Sequence, residues 1–479
     1  MYLGLDLGTS GLKGLVIDDE QALVASATAP LEVSRPQSGW SEQDPDSWIA
    51  ACERVFGALK EQIDLSSIKG IGLSGQMHGA TALSADGKPL WPSMLWNDTR
   101  SASEASAMDA DPDFRKLSGN IVFPGFTAPK IEWLRVNKPD LFDTIDKVLL
   151  PKDYLRLWLT GEAVSDMSDA AGTSWLDTGG RDWSNTLLAK AHLSREQMPR
   201  LVEGSEISGK LRPDFAETFG FSEGVVVAGG GGDNAASAIG VGVVKPGDAF
   251  VSLGTSGVLF AANGAYQPDP ETAVHTFCHA VPNTWHQMGV ILAATDALAW
   301  FAGLVGSEPP ALTSSLGELQ APGRTVFLPY LGGERTPIND AAIRASFLGL
   351  EHATDRDAAT RAVLEGVCFA LRDCQVALEA TGTHYETLLG VGGGTQSDYW
   401  LSALATCLGK PIDLPQGSEL GGAFGAARLG LMAATGAGAE IAAKPPIAKT
   451  IEPVAALTST FDEGYDRYVR ARGALGDLQ

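Results

Sequence analysis

The sequence predicts an α/β protein built from two related halves that meet around a ligand cleft. Three observations carry that expectation. The chain has 479 residues, beyond the roughly 250–300 at which a single hydrophobic core stops growing. Short apolar runs repeatedly end in glycine-rich loops, as in α/β sheets whose site lies at the strand ends. The pentapeptide LGTSG occurs twice, at Leu7–Gly11 and at Leu253–Gly257, each copy between two short apolar runs.

The elements follow in order. Residues 2–7 alternate in polarity, turn through Gly8-Thr9-Ser10-Gly11, and resume over 12–17, which reads as a hairpin. Residues 44–60 read as a helix opened by Asp44 with Pro45 at its first position. Residues 68–73 form a short strand running into Ser74-Gly75-Gln76-Met77-His78-Gly79, and 225–228 another running into four glycines and Asp233. Val244-Lys245-Pro246-Gly247 punctuates the chain and divides it into halves 1–244 and 245–479. At the second LGTSG copy, Ser252 and Leu259 stand where the first has Asp6 and Lys13, so only the first copy carries a fixed anion and cation. The run Gly289–Gly306 holds a single charge and is too short for the about 20 apolar residues of a membrane span; it reads as a buried core helix. Residues 388–391 form a strand leading into Gly392-Gly393-Gly394-Thr395-Gln396-Ser397 and a helix from Asp398. The small residues of 421–427 suit a helix packed closely on a ligand or another backbone, and 462–472 reads as a surface helix.

Composition narrows the function. Apolar residues make up 44% of the chain, a globular value. The 56 glycines exceed the about 34 that an ordinary share gives, as expected of many tight turns and close approaches of backbone to ligand. With 58 acidic against 35 basic residues the net charge is −23, which disfavours nucleic acid and anionic membrane partners. A nucleotide stays possible, because a local nest of N–H groups and a metal ion can hold its phosphates. Cys52, Cys278, Cys368, Cys374 and Cys407 are scattered and form no CxxC pair, the pattern of reduced thiols in the cytoplasm. The start, MYLGLDLGTSG, has no basic n-region, so no signal peptide is expected.

No GxxxxGK[ST] loop is present, so phosphates are not held in the Walker manner. Gly-Thr-Ser-Gly instead offers unobstructed N–H donors and two hydroxyls, and three glycines before a helix suit an adenine ring or an α-phosphate. Asp6 ends a strand ahead of the first such loop, where a carboxylate can serve Mg²⁺. Asp233 follows a glycine run, with Asn234 beside it, and can accept the proton of an attacking hydroxyl. A solvated hairpin residue is the alternative for Asp6, and an N-cap for Asp233. In the loop after 68–73, Gln76 and His78 can bond sugar hydroxyls while Met77 packs on carbon. The segment His275-Thr276-Phe277-Cys278-His279 has no second paired motif and is not read as a zinc site.

Together these segments resemble the FGGY carbohydrate kinases, within the superfamily of actin, hexokinase and the heat-shock ATPases. The similarity runs nearly end to end. DLGTSGLK at 6–13 and SLGTSG at 252–257 resemble the two phosphate loops, VGGGTQS at 391–397 the adenosine loop, and 125–137 and 346–365 the two family signatures, with Val136, Ala358 and Ala359 slightly off pattern in packing segments. SGQMHG (74–79), LWNDTR (95–100), LLPKDYL (149–155), SDMSDAAG (165–172) and GGGGDNA (229–235) are similar to the xylulose-phosphorylating branch of that family. The resemblance implies two ribonuclease H-like domains around a deep cleft, often as a homodimer, using ATP and Mg²⁺ to phosphorylate D-xylulose. It implies Asp233 as general base and Met77, His78, Asp233 and Asn234 as the sugar site. Asp6 and Asp233 would serve the metal; Gly8, Thr9, Ser10, Lys13, Gly254 and Thr255 the phosphates; and Gly393, Gly394 and Thr395 the adenosine. Kinases for another pentulose or a polyol, such as ribulose or arabinitol, and a nucleotide-dependent sugar sensor are the alternatives.

Overall fold

Alternating apolar residues make Tyr2–Leu7 the central strand of the first sheet, buried on both faces. The computed structural model, which describes residues 1–417 and 421–476, pairs it antiparallel with Gly11–Ile17 and parallel with Gly70–Gly75. Leu23–Pro30 extends the sheet on one side; Val226–Ala228 and Ile207–Lys210 extend it on the other, with the short strand Gly231–Gly232 also on Gly70–Gly75. The second sheet repeats this plan. Its central strand Ala249–Leu253 pairs antiparallel with Gly257–Asn263 and parallel with Leu388–Val391. Trp285–Ile291 and His275–Cys278 follow on one side, Ile412–Pro415 and Ile447–Ile451 on the other. Corresponding strands pair in the same senses in both sheets, so the LGTSG echo marks a duplicated α/β unit. The molecule is two α/β domains with a cleft between them.

Two differences from the sequence reading have physical causes. Gly289–Gly306 is not one helix: Trp285–Ile291 is a strand and Thr295–Leu304 a helix. Continuous apolar character does not separate the two states. Here Gly289 lies so close to Cys374 of the helix Arg356–Ala380 that a Cβ would sit 2.4 Å from the cysteine Cβ, and the segment is held flat against that helix. The hairpins also differ in register. Asp6 faces Lys13, but Ser252 faces Val258 rather than Leu259, because the second turn is one residue tighter.

The helix Gly422–Thr435 comes from beyond the second sheet's central strands yet packs on the first sheet. Alternate glycines of the first sheet receive it: a Cβ at Gly4 would lie 1.9 Å from the Ala423 carbonyl oxygen, and one at Gly72 1.8 Å from that of Ala426. Gly425 approaches the helix Asp233–Val241 equally closely, 1.7 Å from the Ala236 carbonyl oxygen. The small-residue run thus brings backbone onto backbone and ties the second half to the element carrying Asp233. Asp44 caps the helix Pro45–Lys60, and the surface helix extends over Thr458–Gly476. All five cysteines are buried and free. Among the described residues no helix is long and apolar enough to cross a membrane.

Candidate active site

The strand Tyr2–Leu7 delivers Asp6 to the cleft end of the first sheet. Its Oδ1 accepts the Ser74 hydroxyl at 2.8 Å, and Lys13 faces it across the hairpin. Enclosure pushes the Asp6 carboxyl above the usual range; Ser74 and Lys13 pull the other way. Asp233 opens the helix Asp233–Val241, and the cap position is Gly232, not Asp233. Its Oδ1 accepts the backbone N–H of Asn234 at 2.7 Å and the Asn234 side chain at 3.0 Å. Burial raises its carboxyl to about 6, with the negative charge of Asp6 adding to the rise and the Asn234 bonds opposing it. Residues distant in sequence thus place two like charges within reach of one another in the cleft.

A buried ionic cluster supports Asp233 from below. Lys152 sits among Asp153, Asp166 and Asp169 at 2.6, 2.7 and 3.0 Å, all fully buried. Asp166 accepts from the Ser168 hydroxyl, whose oxygen accepts the N–H of Gly232 at 3.1 Å. The segments 149–155 and 165–172 therefore hold the loop that carries Asp233.

Two cavities meet at Asn234 and Ser252. One, of about 340 Å³, is lined by Met77, His78, Asp233 and Asn234 from the first half and by Ser252, Gly254, Ser256 and Arg335 from the second. The other, of about 790 Å³, runs past Gly392, Gly393, Thr395 and Gln396. Gly393 is bordered on its far side by a third cavity with Gly394, Thr295, Leu298 and Ala299. Gly392 adopts φ +93°, and a Cβ there would strike the Leu253 carbonyl at 2.7 Å; no side chain fits between this loop and the second phosphate-type loop.

His78 has a left-handed backbone, φ +69°, a strain that persists where the surroundings over-determine it. Here Lys130 and Thr127 both donate to its carbonyl, at 2.9 and 3.1 Å. The segment 125–137, read from sequence as packing, thus fixes the conformation of a cavity residue. The His78 ring stacks on Phe126 at 4.3 Å. Its Nδ1 donates to the Gly172 carbonyl at 2.7 Å, so Nε2 is the acceptor. Burial keeps the ring neutral, pushed down to about 3. On the first loop, Thr9 Oγ1 donates to Gln76 at 3.0 Å and accepts from Trp96 Nε1 at 3.1 Å. The loop carrying Thr9 and the loop carrying Met77 and His78 are therefore one hydrogen-bonded unit. Ser10 is exposed beside it. In the second loop the Gly254 carbonyl accepts the Thr295 hydroxyl at 2.8 Å, and the Thr255 carbonyl accepts the N–H of Ala294 at 2.8 Å.

The N-terminal-domain signature of the FGGY carbohydrate kinases matches residues 1–240, and the C-terminal-domain signature matches 249–434. The chain belongs to the FGGY family of carbohydrate kinases. Relatives cover it almost entirely. It is 49% identical to the xylulose kinase of Escherichia coli (strain K12), over 91% of this chain and 90% of that one. It is 46% identical to the xylulose kinase of Klebsiella pneumoniae, over 90% and 89%. The crystal structure of a xyloylose kinase from Brucella ovis superposes with TM-score 0.98 at 61% identity, covering both chains completely. In this FGGY kinase, every first-half residue singled out from sequence lies at the cleft end of the first sheet or in the loops beside it. Gly254, Gly393, Gly394 and Thr395 approach from the second half. Sequence reasoning missed Arg335, Trp96 and the start of the helix Thr295–Leu304 as site residues. Trp96, in the LWNDTR segment, and Thr295–Ala299 follow no glycine cluster at a strand end, the signal used to find the others, whereas Arg335 does follow Gly332-Gly333 after the strand Val326–Leu328.

Proposed function

We propose that this FGGY kinase transfers the γ-phosphoryl group of ATP to the terminal O5 hydroxyl of D-xylulose. The observation that carries this reading is Asp233 in the smaller cavity, which is sized for a sugar, next to Asn234, where that cavity meets the larger one along the glycine loops. Asp233, ionised at neutral pH, accepts the O5 proton as O5 bonds to the γ-phosphorus and the β–γ bridging oxygen departs with ADP. Met77 packs on the sugar's carbon face while His78 Nε2 and Asn234 bond its hydroxyls. Gly8, Thr9, Ser10 and Lys13, with Gly254 and Thr255, surround the phosphates; Gly393, Gly394 and Thr395 take the adenosine. Two enclosed carboxylates, both raised by burial and Asp233 further by the charge of Asp6, suit a cation, and no cluster of three His, Cys, Asp or Glu among the described residues competes for one. Mg²⁺ takes one or two carboxylates plus phosphate oxygens and water, so Asp6 and Asp233 would hold it, and when bound it neutralises phosphate charge. Closure of halves 1–244 and 245–479, the second continuing past the described residues, would exclude competing water. A cytoplasmic homodimer is the setting we propose.

Asp233→Ala should lower sugar-dependent ADP release by roughly 10²–10⁴-fold while ATP still binds; near-normal turnover overturns the assignment of the base. Mass spectrometry of products from ATP with mixed pentuloses and pentitols tests the acceptor, and a kcat/KM maximum away from D-xylulose overturns that choice.

A further inference from the structure

One end of the smaller cavity carries a charge that phosphoryl transfer leaves unused. Arg335 lines it from the second half, its guanidinium 4.6 Å from the Phe123 ring centroid and 3.3 Å from Nε2 of His275. A guanidinium only donates, so His275 Nε2 accepts, and this contact engages one nitrogen of the fork. Glu334 makes no ion pair with it and offsets its charge only in part. Its Oε1 accepts the backbone N–H groups of Leu292 and Arg335, and burial raises its carboxyl to about 8. A desolvated cation with a neutral neighbour calls for an acceptor from a ligand. At the same end His78 offers the opposite character: Nδ1 is committed to Gly172, which leaves Nε2 as an acceptor. The walls between them are apolar, including Phe123, Phe126, Phe277 and Met288.

We propose that Arg335 and His78 read the carbonyl end of an open-chain 2-ketose, Arg335 donating to the C2 carbonyl oxygen and His78 accepting from a neighbouring hydroxyl, which makes Arg335 the residue that separates ketoses from alditols. The inference rests on the sugar-kinase reading above and adds the group that selects the carbonyl. A carbonyl oxygen only accepts and matches a donor-only fork. A hydroxyl in its place brings a hydrogen that faces the aromatic wall without a partner. The orientation agrees with the position of the base. Arg335 stands against Phe123 and His275, whose rings contact Phe126 and through it His78, whereas Asp233 is next to Asn234, where the cavity meets the larger one. A pentulose with C2 at Arg335 therefore points its far hydroxyl toward Asp233.

The test compares wild type, Arg335→Gln and Arg335→Lys on D-xylulose and on D-arabinitol and xylitol, which differ from it by reduction at C2. The readouts are kcat/KM for ADP release, or inhibition constants where turnover is undetectable, with ATP affinity measured in parallel. The glutamine variant is expected to lose roughly 10–100-fold on D-xylulose and to stay within about twofold on the pentitols, with lysine recovering part of the ketose preference. Equal losses on both sugar classes, or no loss on the ketose, overturn the proposal. If the glutamine variant no longer binds ATP, the lysine variant decides, and an unchanged ketose-to-alditol ratio there overturns it. Wild type that binds ATP but phosphorylates neither class sinks the pentulose-kinase reading on which this rests, a result distinct from any outcome in the variants.

Discussion

A carboxyl raised to about 6 by enclosure and by a neighbouring anion is still mostly ionised at neutral pH, and it binds a proton more tightly than an ordinary aspartate. That is the balance a general base needs. It sets the pH dependence of Asp233. With Asp233 as base, kcat/KM should fall about tenfold per pH unit below roughly 6 and level off above it. Asp6→Asn should reduce activity and also move the acid limb to lower pH, because it removes the like charge that helps raise Asp233. An acid limb that stays in place in Asp6→Asn would show that the two carboxylates do not act on one another. Asp6, Asp233 and the loop residues could be found from sequence because each lies at the end of an apolar run beside glycines. Arg335 also follows an apolar run and Gly332-Gly333, but its role could not be read there, because it comes from His275 and Phe123, residues far away in the chain that only folding brings to it.

At the scale of elements, the contact that most constrains the cleft is the helix Gly422–Thr435 lying on Gly4 and Gly72 while Gly425 meets the helix that starts at Asp233. Each interface is backbone on backbone, so an added methyl cannot be relieved by a rotamer change. Gly72→Ala and Gly425→Ala should each destabilise by about 1–3 kcal/mol or more, and Gly425→Ala should also lower kcat because it displaces the Asp233 helix. Gly303, in the helix Thr295–Leu304 with open space around its missing Cβ, is the control: Gly303→Ala should be neutral or stabilise by about 0.5–1 kcal/mol. Chemical denaturation and steady-state kinetics on the three variants check this, and equal effects at Gly303 and Gly425 would count against it. The same elements show where sequence reading stops. Residues 421–427 were legible as a close-packing helix, but their partners, Gly4, Gly72 and Ala236, lie far earlier in the chain, and small residues carry no record of what they touch. The strand and the helix within Gly289–Gly306 are equally apolar, and what separates them is tertiary: the pairing of Trp285–Ile291 with Gly257–Asn263 and His275–Cys278 and the contact of Gly289 with Cys374.

For the molecule as a whole, buried titratable groups shape stability against pH in two opposing directions. His78 and His279 are held neutral, pushed down to about 3 and about 4 by burial. Below about 6.5 the unfolded chain takes up protons that the folded state refuses. Their contribution is therefore complete above that pH and is lost as pH falls from about 6.5 toward 4. Glu334 and Glu365 are raised to about 8 and about 7 by burial. The folded state keeps protons that the unfolded chain sheds above roughly 4.3, so this contribution is lost progressively as pH rises from about 4.3 and is gone once pH passes 7 and 8. The two opposing slopes offset one another between about 4.3 and 6.5, so stability should be highest there and decline on either side. Glu334→Gln isolates the alkaline limb. The amide oxygen can still accept from Leu292 and Arg335, and no proton is exchanged. Its Tm relative to wild type should be unchanged near pH 4.5 and should rise by roughly 1–3 °C by pH 8. A difference that is constant across the range would mean that Glu334 is ionised in the folded protein. Arg335 would then stand next to a true counter-ion, and the argument that its charge awaits a ligand oxygen would lose its footing.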